Sequence, residues 1–125
     1  MNIKIKATNI ELTDSINDYI NKRLESFSVF ERDQKEMIFF VEVAKTTNHH
    51  KKGNYHRAEF KLVLDGKEFY TFSEKEDLYK SIDTAKDDLL RKVKNSIGKK
   101  HSLIRRGAYK LKGIIKGVSG GRLFK

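Results

Sequence analysis

The chain has 125 residues, 38% hydrophobic and 35% charged, which is enough for one domain with a modest core. It contains no cysteine, and this excludes disulfides, thiolate metal sites and cysteine nucleophiles. The formal net charge is +10 and no apolar stretch approaches the ~18 residues of a membrane span, so we expect a cytoplasmic protein that attracts polyanions.

The first third of the chain predicts a strand, a helix and a second strand. Residues 2–8 alternate between apolar and polar side chains, as in a half-buried strand. Thr13 then fits the N-cap of a helix. The apolar face of that helix comprises Ile16, Ile20, Leu24 and Phe27. Apolar side chains alternate again from Met37 to Val43, which predicts the second strand.

A hairpin and a longer helix are predicted next. Alternation from Ala58 to Leu64 and the segment Lys67–Phe72 predict two strands, joined by a tight turn at Asp65-Gly66. Ser73 and Glu76 have the spacing of a capping box, so we expect the helix to begin there. Its apolar stripe comprises Leu78, Ile82, Ala85, Leu89, Val93 and Ile97.

These elements predict an α+β fold in the order β-α-β-β-β-α. Each helix has one apolar face, and the four strands share one, so we expect a two-layer sandwich in which two helices pack on one face of a four-stranded sheet. The other face of the sheet has no predicted cover. It includes Lys4, Lys6, Ile38, Phe40, Arg57, Glu59 and Lys61.

The positive charge is concentrated near the end of the chain. Residues 98–125 contain nine basic and no acidic residues, whereas residues 1–97 contain 18 basic and 17 acidic residues. We therefore predict an α+β domain over residues 1–97 and a basic, flexible tail over residues 98–125. Glycines interrupt the apolar repeat of this tail and disfavour an isolated helix.

The basic residues are the best candidates for a binding site. Lysine and arginine contacts with phosphates give affinity but little base specificity, which favours a structured RNA recognised by its shape. A solvated basic surface is the alternative explanation. The candidates indicated by charge are Lys51, Lys52, Arg57, Lys86, Arg91, Lys92, Lys94, Lys99, Lys100, Arg105 and Arg106.

No group of residues predicts catalysis or a metal site. The segment Gly117–Gly121 matches a nucleophile elbow only formally, because neither a histidine nor an acid follows it. His49, His50 and His56 have no suitably spaced carboxylate, and exposed loop positions or RNA contacts explain them better. We expect no enzymatic activity, no metal and no cofactor.

Three parts of the sequence carry a resemblance to a known family. They are the opening residues Asn2–Ile5 with Asn9–Thr13, the segment Phe40–Gly53 and the segment Glu76–Asp83. Together they resemble the ribosome hibernation promoting factor family, also called ribosome-associated inhibitor or ribosomal subunit interface protein, over about residues 1–100. The resemblance implies the same fold and a non-enzymatic protein that binds the small ribosomal subunit in the channel used by mRNA and the tRNA anticodon arms.

The resemblance further implies a translation inhibitor that protects idle ribosomes under stress or in stationary phase. Its partners would be 16S-type rRNA and neighbouring ribosomal proteins, with no membrane, and we expect a monomer off the ribosome. The resemblance adds Lys22 and Arg23 on the first helix to the rRNA-binding candidates. Tyr79 and Asp83 match motif positions that could also be structural.

The chain departs from the family pattern in two respects. Long members carry a C-terminal domain that pairs ribosomes, and we expect no pairing through such a domain here. The tail from Ser102 matches no family segment. Two other functions remain open: a generic module for structured RNA, and a membrane-surface protein whose basic tail carries an apolar stripe.

Overall fold

The computed structural model describes residues 1–31, 36–47 and 54–106, with the side chains of all of these except residues 47 and 99–106. The element order confirms the predicted α+β fold. The elements are β1 (Asn2–Thr8), α1 (Asp14–Leu24), a 3-10 helix (Glu25–Phe30), β2 (Met37–Thr47), β3 (Asn54–Leu64), β4 (Lys67–Lys75) and α2 (Leu78–Arg106).

The four strands form one mixed sheet in the order β1-β2-β3-β4. The first two strands are parallel and are connected through α1, while β3 is antiparallel to both of its neighbours. The turn between β3 and β4 has positive φ angles at Asp65 (53°) and Gly66 (82°), as a type I′ hairpin requires. The predicted hairpin is therefore confirmed.

The core lies between the helices and one face of the sheet. Phe27 at the end of the first helical segment packs against Phe39 of β2, with ring centroids 5.1 Å apart. The Thr71 hydroxyl of β4 donates a hydrogen bond of 2.8 Å to the Ala85 carbonyl of α2. Both helices therefore cover the same face of the sheet, as the apolar patterns predict.

The predicted capping box at Ser73 is wrong. Ser73 is a buried residue of β4, paired with Ala58 in the antiparallel ladder. Asp77 caps α2 instead, since its side chain accepts a 2.8 Å hydrogen bond from the Tyr79 backbone N–H. Pairing with β3 extends the strand to Lys75, and this tertiary interaction outweighs the local capping signal.

The second helix passes through the predicted boundary at residue 97 and is described as far as Arg106. The helix continues through Gly98, which is exposed. Elongation of an existing helix adds one hydrogen bond per residue, and this offsets the ~1 kcal/mol that glycine costs. The chain divides into two compact units, Met1–Leu90 and Arg91–Lys125. Residues 107–125, to which the prediction of flexibility also applies, lie outside the described residues.

Candidate functional site

The two units differ sharply in charge. Residues 91–125 contain twelve basic and no acidic residues, whereas residues 1–90 contain fifteen basic and seventeen acidic residues and have a formal charge of −2. Three of the predicted site residues, Arg91, Lys92 and Lys94, are exposed on α2 in the second unit. The attraction for a polyanion therefore originates mainly in the second unit.

On α1, the candidate Lys22 is exposed in the last turn of the helix. The partial negative charge at a helix C-terminus favours cations there, so the position is compatible with a lysine that also remains accessible to a phosphate. Lys22 therefore remains an accessible cation for phosphate binding, as the sequence predicts.

Its neighbour Arg23 belongs to a polar cluster that joins the two helices. The Tyr19 hydroxyl donates to both carboxylate oxygens of Asp83, at 2.7 and 2.8 Å. The Arg23 Nε lies 2.9 Å from Asp83 Oδ1, and its Nη2 donates to the Tyr19 hydroxyl at 3.0 Å. The Tyr79 ring packs edge-on against Tyr19, with centroids 4.7 Å apart.

The electrostatics of this cluster follow from its hydrogen bonds. Desolvation and the hydrogen bond to Asp83 raise the pKa of the Tyr19 phenol. The hydrogen bond to Tyr19 and the charge of Asp83 raise the pKa of the Arg23 guanidinium. Because the Asp83 carboxylate balances its charge, Arg23 joins α1 to α2 and contributes less to phosphate attraction than Lys22.

The candidate Lys86 is largely covered by its surroundings. Its side chain is only 12% exposed, and its Nζ lies 2.6 Å from the Asp87 carboxylate. An ammonium group in this position contacts a phosphate only after it gives up the neighbouring carboxylate. Lys86 is therefore a weaker candidate than its sequence position suggests.

Arg57 lies on the opposite face of the sheet from Lys22. Its guanidinium carbon is 4.1 Å from the centroid of the Phe72 ring, and its Nη2 is 3.0 Å from Glu59. Tyr70 donates to the same carboxylate at 2.6 Å. Hydrogen bonds from Tyr70 and Arg57 lower the pKa of Glu59 below its usual range, despite partial burial. The structure thus separates Arg57 from the candidate Lys22 of the same unit.

The remaining predicted site residues have side chains outside the described part of the chain. Lys51 and Lys52 lie outside the described residues, as do His49 and His50. The backbone of residues 99–106 is helical, but their side chains are not described. These side chains include the candidates Lys99, Lys100, Arg105 and Arg106.

The described residues contain no group of three histidine, cysteine or acidic side chains that could hold a metal ion. His56 places its ring Nδ1 2.9 Å from the Glu76 carbonyl oxygen. In the same part of the chain, no helix combines the length and the apolarity that a membrane crossing needs.

Sequence reasoning missed Tyr19, which completes the contact between the helices. Its spacing of four residues from Arg23 was the available signal, since such residues are neighbours on a helix. Only the packing of α1 beside α2 brings both side chains to Asp83, 64 residues from Tyr19 in the chain.

Solved structures similar to this chain share its fold. The N-terminal domain of Protein Y from Thermus thermophilus is 32% identical, with a TM-score of 0.62, and the match covers 76% of this chain and 98% of that one. A ribosomal subunit interface protein from Coxiella burnetii is 15% identical, with a TM-score of 0.58, covers 77% and 97%, respectively, and supports the fold alone. No curated protein matches.

The fold and the likeness to Protein Y define the class of protein, an α+β domain with a four-stranded mixed sheet. The model of the family described as sigma 54 modulation protein / S30EA ribosomal protein matches residues 3–101. This match covers most of the chain, and the chain therefore belongs to that family. The resemblance to the ribosome hibernation promoting factors is confirmed.

Proposed function

We propose that this protein is a ribosome hibernation factor that binds the small ribosomal subunit in the channel of mRNA and the tRNA anticodon arms. There it inhibits translation and protects idle ribosomes under stress or in stationary phase. The observation that carries the proposal is the family match over residues 3–101. The 32% identity with the N-terminal domain of Protein Y supports it.

The mechanism that we propose is steric and needs neither a cofactor nor a covalent step. A monomer from the cytoplasm occupies space that translation requires, and its partners are 16S-type rRNA and neighbouring ribosomal proteins. The α2 cations Arg91, Lys92 and Lys94 replace counterions on rRNA phosphates, with Lys22 as a further contact. Such contacts make affinity fall steeply with salt but carry little sequence information.

Cosedimentation with purified small subunits tests this proposal. The test variant is Lys92→Glu with Lys94→Glu, and its matched control is Lys67→Glu with Lys75→Glu, which changes the net charge equally in the first unit. In ~100 mM salt, we expect the control to cosediment with the small subunits and the test variant to remain unbound. The two glutamates of the test variant would repel the rRNA phosphates.

Two results would contradict the proposal. Equal loss for both variants would mean that total charge matters and the α2 surface does not. Undiminished protein synthesis in vitro, with wild-type protein in excess over ribosomes, would exclude the inhibitory role. Easy displacement from subunits by free duplex RNA would instead favour a generic module for structured RNA.

A further inference from the structure

The face of the sheet that points away from the helices carries three exposed aromatic side chains. Phe40 on β2 is 40% exposed, and Tyr70 and Phe72 on β4 are 45% and 50% exposed. The described residues place no helix or strand over this face. Several large aromatic side chains gathered on one uncovered surface usually mark a binding site.

The strand register arranges cations and rings in one row across this face. Lys4 pairs with Phe40, Phe40 with Lys61, and Lys61 with Tyr70. The Nζ atoms of Lys4 and Lys61 lie 5.6 and 5.7 Å from the Phe40 ring centroid. A planar ring is thus flanked from both neighbouring strands by ammonium groups, and no acidic residue stands in this row.

Acidic side chains on the same face are engaged by neighbours. Of the two lysines beside Phe40, Lys61 forms a solvent-exposed pair with Glu68, whereas no carboxylate of the described residues lies within ion-pair distance of Lys4, so Lys4 is the more accessible cation for an anionic ligand. The contacts are Glu42 with the Thr8 hydroxyl (2.6 Å), Glu59 with Arg57 and Tyr70, Glu74 with the Thr46 hydroxyl (2.9 Å), and Glu68 with Lys61 (3.5 Å).

We propose that this face, centred on Phe40, Tyr70 and Phe72, binds an unpaired stretch of RNA. Bases stack on the aromatic rings, and the flanking phosphates lie against Lys4 and Lys61. Stacking of this kind tolerates any base, because every base has a planar face. The strands that carry Phe40 and Tyr70 are separated by one strand, so the rings are about 10 Å apart, within reach of neighbouring bases of one extended strand.

The chemistry favours a nucleic acid over a protein partner. A protein interface of this size would centre on an apolar patch with few charges. Here lysines alternate with rings. The ammonium group of a lysine binds a phosphate, and an aromatic ring stacks on a base, so both parts of a nucleotide find a matching side chain. The site uses none of the residues of the proposed ribosome contact, Lys22 and the α2 cations, and it lies on the other face of the sheet from Lys22.

The test uses the full chain and a fluorescein-labelled single strand of about ten uridines, followed by fluorescence anisotropy. Phe40→Thr combined with Phe72→Thr removes two of the three rings but keeps strand-forming side chains. We expect an affinity loss of about tenfold for each base that loses its ring. The matched variant Phe40→Tyr retains a ring and should bind as the wild type does.

Salt titration separates the lysines of the face from general charge. Lys61→Gln should reduce the slope of log K against log salt by about 0.7, the value for one phosphate contact of a single strand. Lys75→Gln removes the same charge from the opposite side of β4 and should leave the slope unchanged.

Photocrosslinking of the wild-type chain to a strand that contains 4-thiouridine is a second test. It needs no variant, so it also applies if a ring variant does not fold. Crosslinks to Phe40, Tyr70 or Phe72 would support the proposal. Wild-type affinity in the folded double ring variant would overturn it, as would crosslinks confined to residues 91–125. A change of oligomeric state in that variant, without a change in RNA affinity, would identify a protein interface and also overturn it.

Discussion

Replacing Asp83 with alanine tests whether the contact between the helices stabilises the domain. Asp83 accepts the Tyr19 hydroxyl at 2.7 and 2.8 Å and an ion pair from Arg23 at 2.9 Å. A hydrogen bond to a charged group contributes about 1.5–3 kcal/mol. The Asp83 side chain is 36% exposed, so we take the lower end, about 1.5 kcal/mol, and expect little from the solvated ion pair.

The assay is chemical and thermal unfolding followed by circular dichroism. A loss of about 1.5 kcal/mol in a chain of this length lowers the melting temperature by about 6 °C. Asp87→Ala is the matched control, because it makes the same substitution in the same helix and also removes an ion pair, the one with Lys86, but no tyrosine hydrogen bond. Both substitutions gain similar helix propensity, so the difference between them reports mainly the hydrogen bonds from Tyr19.

A double-mutant cycle with Tyr19→Phe decides whether the hydroxyl is responsible. If the Tyr19 hydroxyl and the Asp83 carboxylate stabilise each other, the two substitutions should couple by about 1 kcal/mol. Additive effects to within about 0.3 kcal/mol would refute the reasoning, since groups without direct contact behave in that way.

Three further predictions concern titration and the hairpin. Burial and Asp83 raise the pKa of Tyr19, and the hydrogen bond to Glu59 raises that of Tyr70, so both phenols should deprotonate above the ordinary tyrosine pKa in an NMR pH titration. The lowered pKa of Glu59 stabilises the fold above the usual glutamate pKa, and this contribution is lost as the pH falls through the folded-state pKa; unfolding of Glu59→Gln should lack that pH dependence. Gly66 has a φ of 82° with open space at its Cβ position, so Gly66→Ala should lower the free energy of unfolding by about 1 kcal/mol through backbone strain alone.

Local patterns were sufficient to predict most elements of the fold. Alternating apolar residues identified the first three strands, and the Asp65-Gly66 turn, which needs only the φ preferences of its two residues, indicated the fourth. The α1 N-cap also follows from neighbours in the chain, because the Thr13 side chain accepts from the Ile16 N–H at 3.2 Å. Interactions of this short range are encoded in adjacent residues.

Local signals failed where a distant strand competes with them. Ser73 and Glu76 satisfy the capping-box pattern, yet pairing with Ala58 draws Ser73 into β4. Similarly, the sequence made candidates of Lys86 and Arg23 and did not show that Asp87 and Asp83 lie beside them. Sequence spacing does not reveal whether a carboxylate will lie beside a given cation.

The sequence alone determined most of the helices and strands, the concentration of basic charge and the family resemblance. Each of these depends on residues close together in the chain. The tertiary structure decided which side chains meet: Asp83 with Tyr19, and Phe40 with Lys4 and Lys61. Such contacts depend on strand register and helix packing, where one residue of slip would turn every side chain of a strand to the other face.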